Sequence, residues 1–153
     1  PGMSMRIFRQ GSTTVDDLFD LGVENTFAFG PTLVENGEVY KKAYKHRVRA
    51  DNPRVGVGMI EPGHFVVIVA DGRLKGVSLG MPIMEFAELF KTEGCQQAFN
   101  MDGGASAAMV FMGEFINMRN SEHVRTMPDG LMWGYSQQVP SLSDPLVYSG
   151  EQE

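Results

Sequence analysis

The positions of the apolar residues predict a series of short strands interrupted by two helices. Apolar residues that alternate with polar or small ones are typical of strands, and such alternation predicts strands over residues 3–9, 26–29, 55–60, 97–101 and 107–112. The unbroken apolar run over residues 64–70 is typical of a strand covered on both faces. We therefore expect residues 64–70 to form the central strand of a sheet.

Two stretches carry the spacing of amphipathic helices. The first follows a capping threonine, Thr13 or Thr14, places apolar residues on one face over residues 15–21 and ends at Gly22. The second opens at Pro82, has one apolar side over residues 83–93 and ends at Gly94.

Turn residues predict where the strands reverse. Glu35-Asn36-Gly37 predicts a hairpin over residues 33–40, and Gly113-Glu114 predicts a second turn leading into residues 115–117. Residues 118–140 are too long for an ordinary connection and are predicted to be a functional loop or a disordered one. Residues 146–148 resemble a closing strand before the polar end of the sequence.

Polar groups interrupt the apolar pattern at one point in particular. The strand over residues 97–101 runs into Asp102, Gly103, Gly104 and Ser106 before apolar residues resume. Glycines there would let backbone N–H groups approach an anion closely, with the Asp102 carboxylate facing the ligand. A tight turn between two strands explains Asp102-Gly103 equally well. The pattern alone leaves both interpretations open.

Length and charge restrict the classes of function. A chain of 153 residues is sufficient for one domain with its own core. The net charge of −6 and the absence of a basic stripe argue against a nucleic-acid partner, and no apolar run approaches the ~20 residues of a membrane-spanning helix. The basic stretch over residues 41–49 is either a solvated face or an attractor of anionic substrates.

The sequence gives no indication of a metal or cofactor. The three histidines, His46, His64 and His123, have unrelated spacings and no zinc signature. The single cysteine, Cys95, cannot form an internal disulfide, and we interpret it as a small buried apolar residue. We therefore expect neither a metal site nor a cofactor.

Several motifs, taken together in their order, resemble the phosphodiester glycosidase family. The resemblance covers nearly the whole chain and is carried by residues 26–31, Asn52-Pro53-Arg54, residues 69–73, the helix between Gly80 and Gly94, residues 100–106 and residues 141–144. It implies an α/β (α+β) fold in which helices pack on a mostly antiparallel sheet. It also implies a hydrolase that cleaves a sugar 1-phosphodiester such as an N-acetylglucosamine 1-phosphodiester. Bacterial members of the family are often related to exopolysaccharide.

Two departures from the family pattern affect these expectations. Ala105 stands where the family usually has a third glycine, and Ala107 follows Ser106 in place of a small hydroxyl residue. The upstream Asn-Gly-Gly-Phe or Asn-Gly-Gly-Tyr motif of the family has no counterpart. We therefore expect residues 1–153 to be a single domain that corresponds to the C-terminal portion of a phosphodiester glycosidase domain.

The resemblance assigns roles to eight residues. Asp102 or Asp71 is expected to supply a carboxylate as nucleophile or as base for water, and Arg54 and Arg73 are expected to bind the phosphate in bidentate fashion. The remaining four would assist: the Gly103 and Gly104 amides at the phosphate, and Asn100 and Ser106 at the sugar hydroxyls. The alternative is that these residues have only structural roles. Asp71 and Arg73 would then form a salt bridge across a turn, and Arg54 a surface ion pair.

The sequence is also compatible with other functions. The chain is alternatively a non-catalytic module that binds a glycan or a sugar phosphate, which Ala105, Ala107 and the missing motif favour. A homo-oligomer formed by pairing of an open sheet edge is a further possibility. The resemblance alone suggests a location outside the cytoplasm.

Overall fold

Five antiparallel strands form the sheet on which the molecule is built. In the computed structural model, which describes residues 3–9, 11–45, 50–118, 125–127 and 129–134, these strands are β1 (Thr32–Glu35), β2 (Glu38–Val39), β3 (Arg54–Glu61), β4 (His64–Ala70) and β5 (Gln97–Asn100). Their order across the sheet is β2-β1-β5-β3-β4. Two helices, α1 (Val15–Asp20) and α2 (Ile83–Thr92), accompany the sheet, together with 3-10 turns at Lys41–Lys45 and Gly104–Ser106. The predicted α+β class with a mostly antiparallel sheet is confirmed.

Helix α2 covers one face of the sheet and forms the core with it. Ile83, Phe86, Ala87 and Phe90 project from the helix and are fully buried. The rings of Phe86 and Phe90 meet edge to face at 5.2 Å and pack where β3 carries Gly56 and Gly58. Burial of a Phe side chain stabilises a fold by roughly 1.5–3 kcal/mol, so this face is a main source of stability.

The strand pairing brings four chain segments to one end of the sheet. Gly56 near the start of β3 lies opposite Asn100 at the end of β5, and Arg54 lies opposite Ala70 at the end of β4. The start of β1 reaches the same end, because Thr32 pairs with Phe99. The segments that follow β4 and β5 therefore converge with those that precede β1 and β3.

Most of the predicted elements are present. Helix α1 starts after Thr14, which forms a capping box with Asp17, and α2 starts after Pro82. The hairpin of β1 and β2 turns at Asn36 and Gly37, both in the left-handed region. The apolar side of α1, however, is not covered by described residues: Phe19 is 73% exposed.

Four strand predictions are wrong in position or extent. The apolar strand β4 lies at the edge of the sheet, and β5 is central. Residues 3–9 and 26–29 are extended without strand pairing. The predicted strand over 107–112 is reduced to β6 (Val110–Phe111), which pairs with β7 (Glu114–Phe115) in a separate exposed hairpin that turns at Met112 and Gly113.

Some predictions lie outside the described residues. They concern residues 46–49, most of residues 118–140, the 141–144 motif and the strand over 146–148. Within the described ranges, no helix combines the length and the apolar character that crossing a bilayer requires.

Candidate active site

A cavity of about 210 Å³ opens at the end of the sheet where the four segments converge. Six of the eight predicted site residues line it, namely Arg54, Arg73, Asn100, Asp102, Gly103 and Gly104. The other lining residues are Phe29, Asn52, Pro53, Ala105 and Arg125. The cavity thus combines arginine side chains, one carboxylate and a glycine-rich backbone.

Asp102 is the carboxylate of this cavity. It lies two residues after the end of β5, and its Oδ2 accepts a hydrogen bond of 2.7 Å from the buried Ser106 hydroxyl. The described residues give Asp102 Oδ1 no hydrogen-bond partner. Ser106 was expected to bind a sugar hydroxyl, but in this geometry its hydroxyl orients the carboxylate.

The Gly103-Gly104 segment forms a close-packed turn and not a hairpin. A side chain on Gly103 would collide with the Pro53 carbonyl oxygen, and Gly104 has φ +60°. The Gly104 N–H donates to that carbonyl at 2.9 Å, so it is not available to an anion. Among the described residues, the Gly103 N–H has no acceptor, so it is one amide left open to a ligand.

Arg73 projects over this turn from an unusual backbone position. Its φ of 57° lies in the left-handed region, which costs a non-glycine residue about 1–2 kcal/mol. Its Nη2 donates to Asn52 Oδ1 at 2.8 Å, and its guanidinium lies 3.2 Å from where a Cβ of Gly104 would stand. Asn52 and the missing side chain of Gly104 together fix where this cation lies.

Arg54 supplies a second, buried cation. It is 3% exposed, its Nε donates to the Met81 carbonyl at 2.8 Å, and its Nη2 donates to the Ala50 carbonyl. Burial lowers the pKa of Arg54, Asp51 opposes that change, and the charge of Arg73 lowers it further. An anion bound in the cavity would therefore relieve repulsion between two neighbouring cations.

Asn100 is buried beside the cavity with one polar atom unpaired. Its Nδ2 donates to the Gly30 carbonyl at 2.8 Å, which fixes the orientation of the amide. Its Oδ1 is buried and has no hydrogen-bond partner among the described residues. An unpaired buried acceptor is destabilising by about 1–3 kcal/mol, and such atoms are common at functional sites.

Asp71 lies outside the cavity. Its carboxylate accepts hydrogen bonds from Asn117 Nδ2 at 3.2 Å and from the Met118 N–H at 3.1 Å. It forms no ion pair with Arg73 in the part of the chain that the structure describes. In this arrangement, Asp71 holds the segment that follows β7 in place through these two hydrogen bonds.

Sequence reasoning missed four residues around Asp102: Phe29, Asn52, Arg125 and Asp129. A second cavity, of about 220 Å³, shares Phe29, Asp102 and Arg125 with the first and adds Asp129. Asn52 was noticed as part of a motif but received no role. Among the described residues, no group of three metal-binding side chains occurs.

Comparison with known proteins identifies the family of this chain. The sequence profile of the NAGPA family, phosphodiester glycosidase, matches residues 5–133. The SPbeta prophage-derived uncharacterized protein YomE of Bacillus subtilis strain 168 is 31% identical over 136 residues, which cover 86% of this chain and 21% of YomE. This chain therefore spans about a fifth of that curated relative's length.

A solved structure of the family shares the fold. The catalytic domain of zebrafish N-acetylglucosamine-1-phosphodiester alpha-N-acetylglucosaminidase, auto-inhibited by its pro-peptide, matches with a TM-score of 0.50 and 24% identity, over 58% of this chain and 33% of that one. A hypothetical protein from Synechocystis matches with a TM-score of 0.48 and 20% identity, over 59% of this chain and 17% of its own. Since the family profile covers most of the sequence, this chain belongs to the phosphodiester glycosidase family.

Proposed function

We propose that this chain hydrolyses a sugar 1-phosphodiester of the N-acetylglucosamine 1-phosphodiester type by breaking the bond between the anomeric carbon and the phosphate oxygen. The observation that carries the proposal is that Asp102, Arg54 and Arg73 line one cavity beside the Gly103 amide. Membership of the phosphodiester glycosidase family supports it. On the family alone, we extend the proposal to bacterial glycans outside the cytoplasm.

The chemistry of this bond requires a carboxylate and anion-binding groups together. As the bond breaks, positive charge develops at the anomeric carbon, and a carboxylate stabilises it or attacks it. The phosphate oxygen keeps the electron pair of the bond and leaves as a phosphomonoester. Because a phosphomonoester is a weak base, with a second pKa of about 6, the leaving group needs little protonation.

The residues of the cavity meet these two requirements separately. Asp102 is the carboxylate, and the hydrogen bond from Ser106 holds one of its oxygens so that the other faces the reacting carbon. Arg73, Arg125 and the Gly103 N–H line the cavity as donors for the phosphate, and Arg54 contributes its positive charge from a buried position. Water adds its hydroxyl group to the anomeric carbon and gives up its other proton to the released phosphomonoester or to solvent.

Replacement of Asp102 tests this proposal. Sugar release from a methyl diester of N-acetylglucosamine 1-phosphate is measured for the wild type, for Asp102→Asn and for a surface control, Asp20→Asn. We expect Asp102→Asn to lower kcat/KM by more than about 100-fold and Asp20→Asn to leave it unchanged. Near-normal turnover by a folded Asp102→Asn protein would remove Asp102 from catalysis.

The same assay separates catalysis from binding alone. Ala105 and Ala107, which stand where the family usually has a glycine and a small hydroxyl residue, favour a module that recognises a sugar phosphate without cleaving it. Binding of the diester with no sugar release by the wild type would support that second function.

A further inference from the structure

The second cavity adjoins the first at Asp102. It is lined by Ala28, Phe29, Met101, Asp102, Arg125 and Asp129. Asp102, Phe29 and Arg125 line both cavities, so the carboxylate lies at their boundary. A ligand that fills both cavities would therefore have its middle portion beside Asp102.

The two cavities differ in charge. Three arginines and one carboxylate line the first, whereas one arginine and two carboxylates line the second. A phosphodiester carries a negative charge, and carboxylates close to it would repel it. The phosphate consequently belongs in the first cavity, and an uncharged group belongs in the second.

We propose that the second cavity is the binding site for the glycosyl group and that Phe29 and Asp129 determine which sugar is accepted. The proposal rests on the proposed function, because the two cavities take the two halves of one sugar 1-phosphodiester. The bond to be broken joins those halves and falls at the boundary, where Asp102 lies.

The lining of the second cavity suits a pyranose. A sugar ring has an apolar face of C–H bonds and a rim of hydroxyl groups. Phe29, which is 50% exposed, supplies an aromatic surface against which the apolar face of a sugar ring can pack, and Ala28 and Met101 add apolar lining. The Asp129 carboxylate in the same lining can accept hydrogen bonds from hydroxyl or amide groups of the sugar.

The sizes of the cavities are compatible with a ligand in two parts. Their volumes of about 210 and 220 Å³ each lie below the roughly 300 Å³ at which ligand pockets usually begin. Neither is therefore large enough to serve alone as an ordinary ligand pocket. A ligand in two parts, one anionic and one neutral, uses both.

Binding of the two halves as separate probes tests the assignment. Dissociation constants for N-acetylglucosamine and for methyl phosphate are measured by NMR titration of the wild type, Phe29→Ala, Asp129→Asn and Arg73→Ala. We expect Phe29→Ala and Asp129→Asn to weaken binding of N-acetylglucosamine about fivefold, and Asp129→Asn, which changes a residue of the second cavity alone, not to weaken binding of methyl phosphate. Arg73→Ala should weaken binding of methyl phosphate and leave binding of N-acetylglucosamine unchanged. Phe19→Ala and Arg6→Ala, which change exposed residues far from the cavities in sequence, are the matched controls.

The outcomes distinguish this inference from the proposed function. The inference is overturned if the wild type does not bind N-acetylglucosamine, or if Phe29→Ala and Asp129→Asn leave its binding unchanged. Sugar release by the wild type under either result would leave the proposed hydrolysis standing. Binding in the expected pattern without sugar release would support the two subsites and contradict the hydrolysis.

Discussion

At the scale of single residues, the position of Arg73 depends on one side chain and on the absence of another. Asn52 accepts its hydrogen bond, and Gly104 leaves the space that its guanidinium occupies. A charged group acts efficiently in a binding site only when its surroundings hold it in the productive geometry. Both neighbours are therefore expected to affect activity without contacting the substrate.

Replacement of Asn52 tests the first dependence. Asn52→Ala removes the acceptor, so we expect kcat/KM for the sugar phosphodiester to fall about tenfold, chiefly through a higher KM. Asn52→Gln retains a neutral amide acceptor, adds no negative charge to the first cavity and should restore most of the activity. Equal loss in both variants would contradict a positioning role and indicate a general disturbance of the segment.

Replacement of Gly104 tests the second dependence. Gly104→Ala places a methyl group 3.2 Å from Arg73 Nη2, whereas Gly113→Ala, at φ +85°, places one in open space. Both substitutions occur in the left-handed region and should lower the free energy of unfolding by about 1–2 kcal/mol. Only Gly104→Ala should also reduce sugar release. The prediction fails if the two variants lose the same share of activity.

The residues of the site were partly predictable, because glycines and charged residues that follow an apolar strand can be recognised in the sequence. Asp102 was selected on that basis, Arg54 and Arg73 were selected through the family resemblance, and all three line the cavity. Phe29 and Arg125 come from irregular segments whose contacts no periodicity specifies. Asp71 follows its strand just as Asp102 does, and only the three-dimensional path of residues 117–118 shows that its carboxylate is engaged elsewhere.

At the scale of elements, the contact between α2 and β3 depends on glycines in the strand. A Cβ on Gly58 would stand 2.5 Å from Cys95 Sγ and 2.7 Å from Phe90 Cδ1. We therefore expect Gly58→Ala to lower the free energy of unfolding by about 1–3 kcal/mol in denaturant titrations. Gly130→Ala, which meets open space, is the control. Equal stability of the two variants would show that the helix packs less tightly than described.

The elements with strong local signals were predicted best. Helix α2 has a starting proline and a clear apolar side, and the hairpin of β1 and β2 has the Asn36-Gly37 pair that its turn needs. Strand β4 was misplaced, because an unbroken apolar run does not distinguish a central strand from an edge strand. Strand order depends on long-range pairing, here of β5 between β1 and β3, which local patterns do not encode.

At the scale of the whole molecule, Cys95 reports on the integrity of the core. Its side chain is 1% exposed within the cluster formed by α2 and the sheet, and burial raises the pKa of its thiol. Since the thiolate is the reactive form, we expect a thiol reagent to label the native protein slowly and the denatured protein rapidly. Rapid labelling of the native protein would contradict a core closed over this face.

The path of the oxygen atom from water tests the central claim most directly. Hydrolysis of the methyl diester of N-acetylglucosamine 1-phosphate is carried out in water enriched in oxygen-18, and the methyl phosphate product is analysed by mass spectrometry. Cleavage at the anomeric carbon, as proposed, leaves methyl phosphate without the heavy isotope, since water then attacks the sugar. One oxygen-18 atom in methyl phosphate would show attack at phosphorus and would contradict a glycosidase.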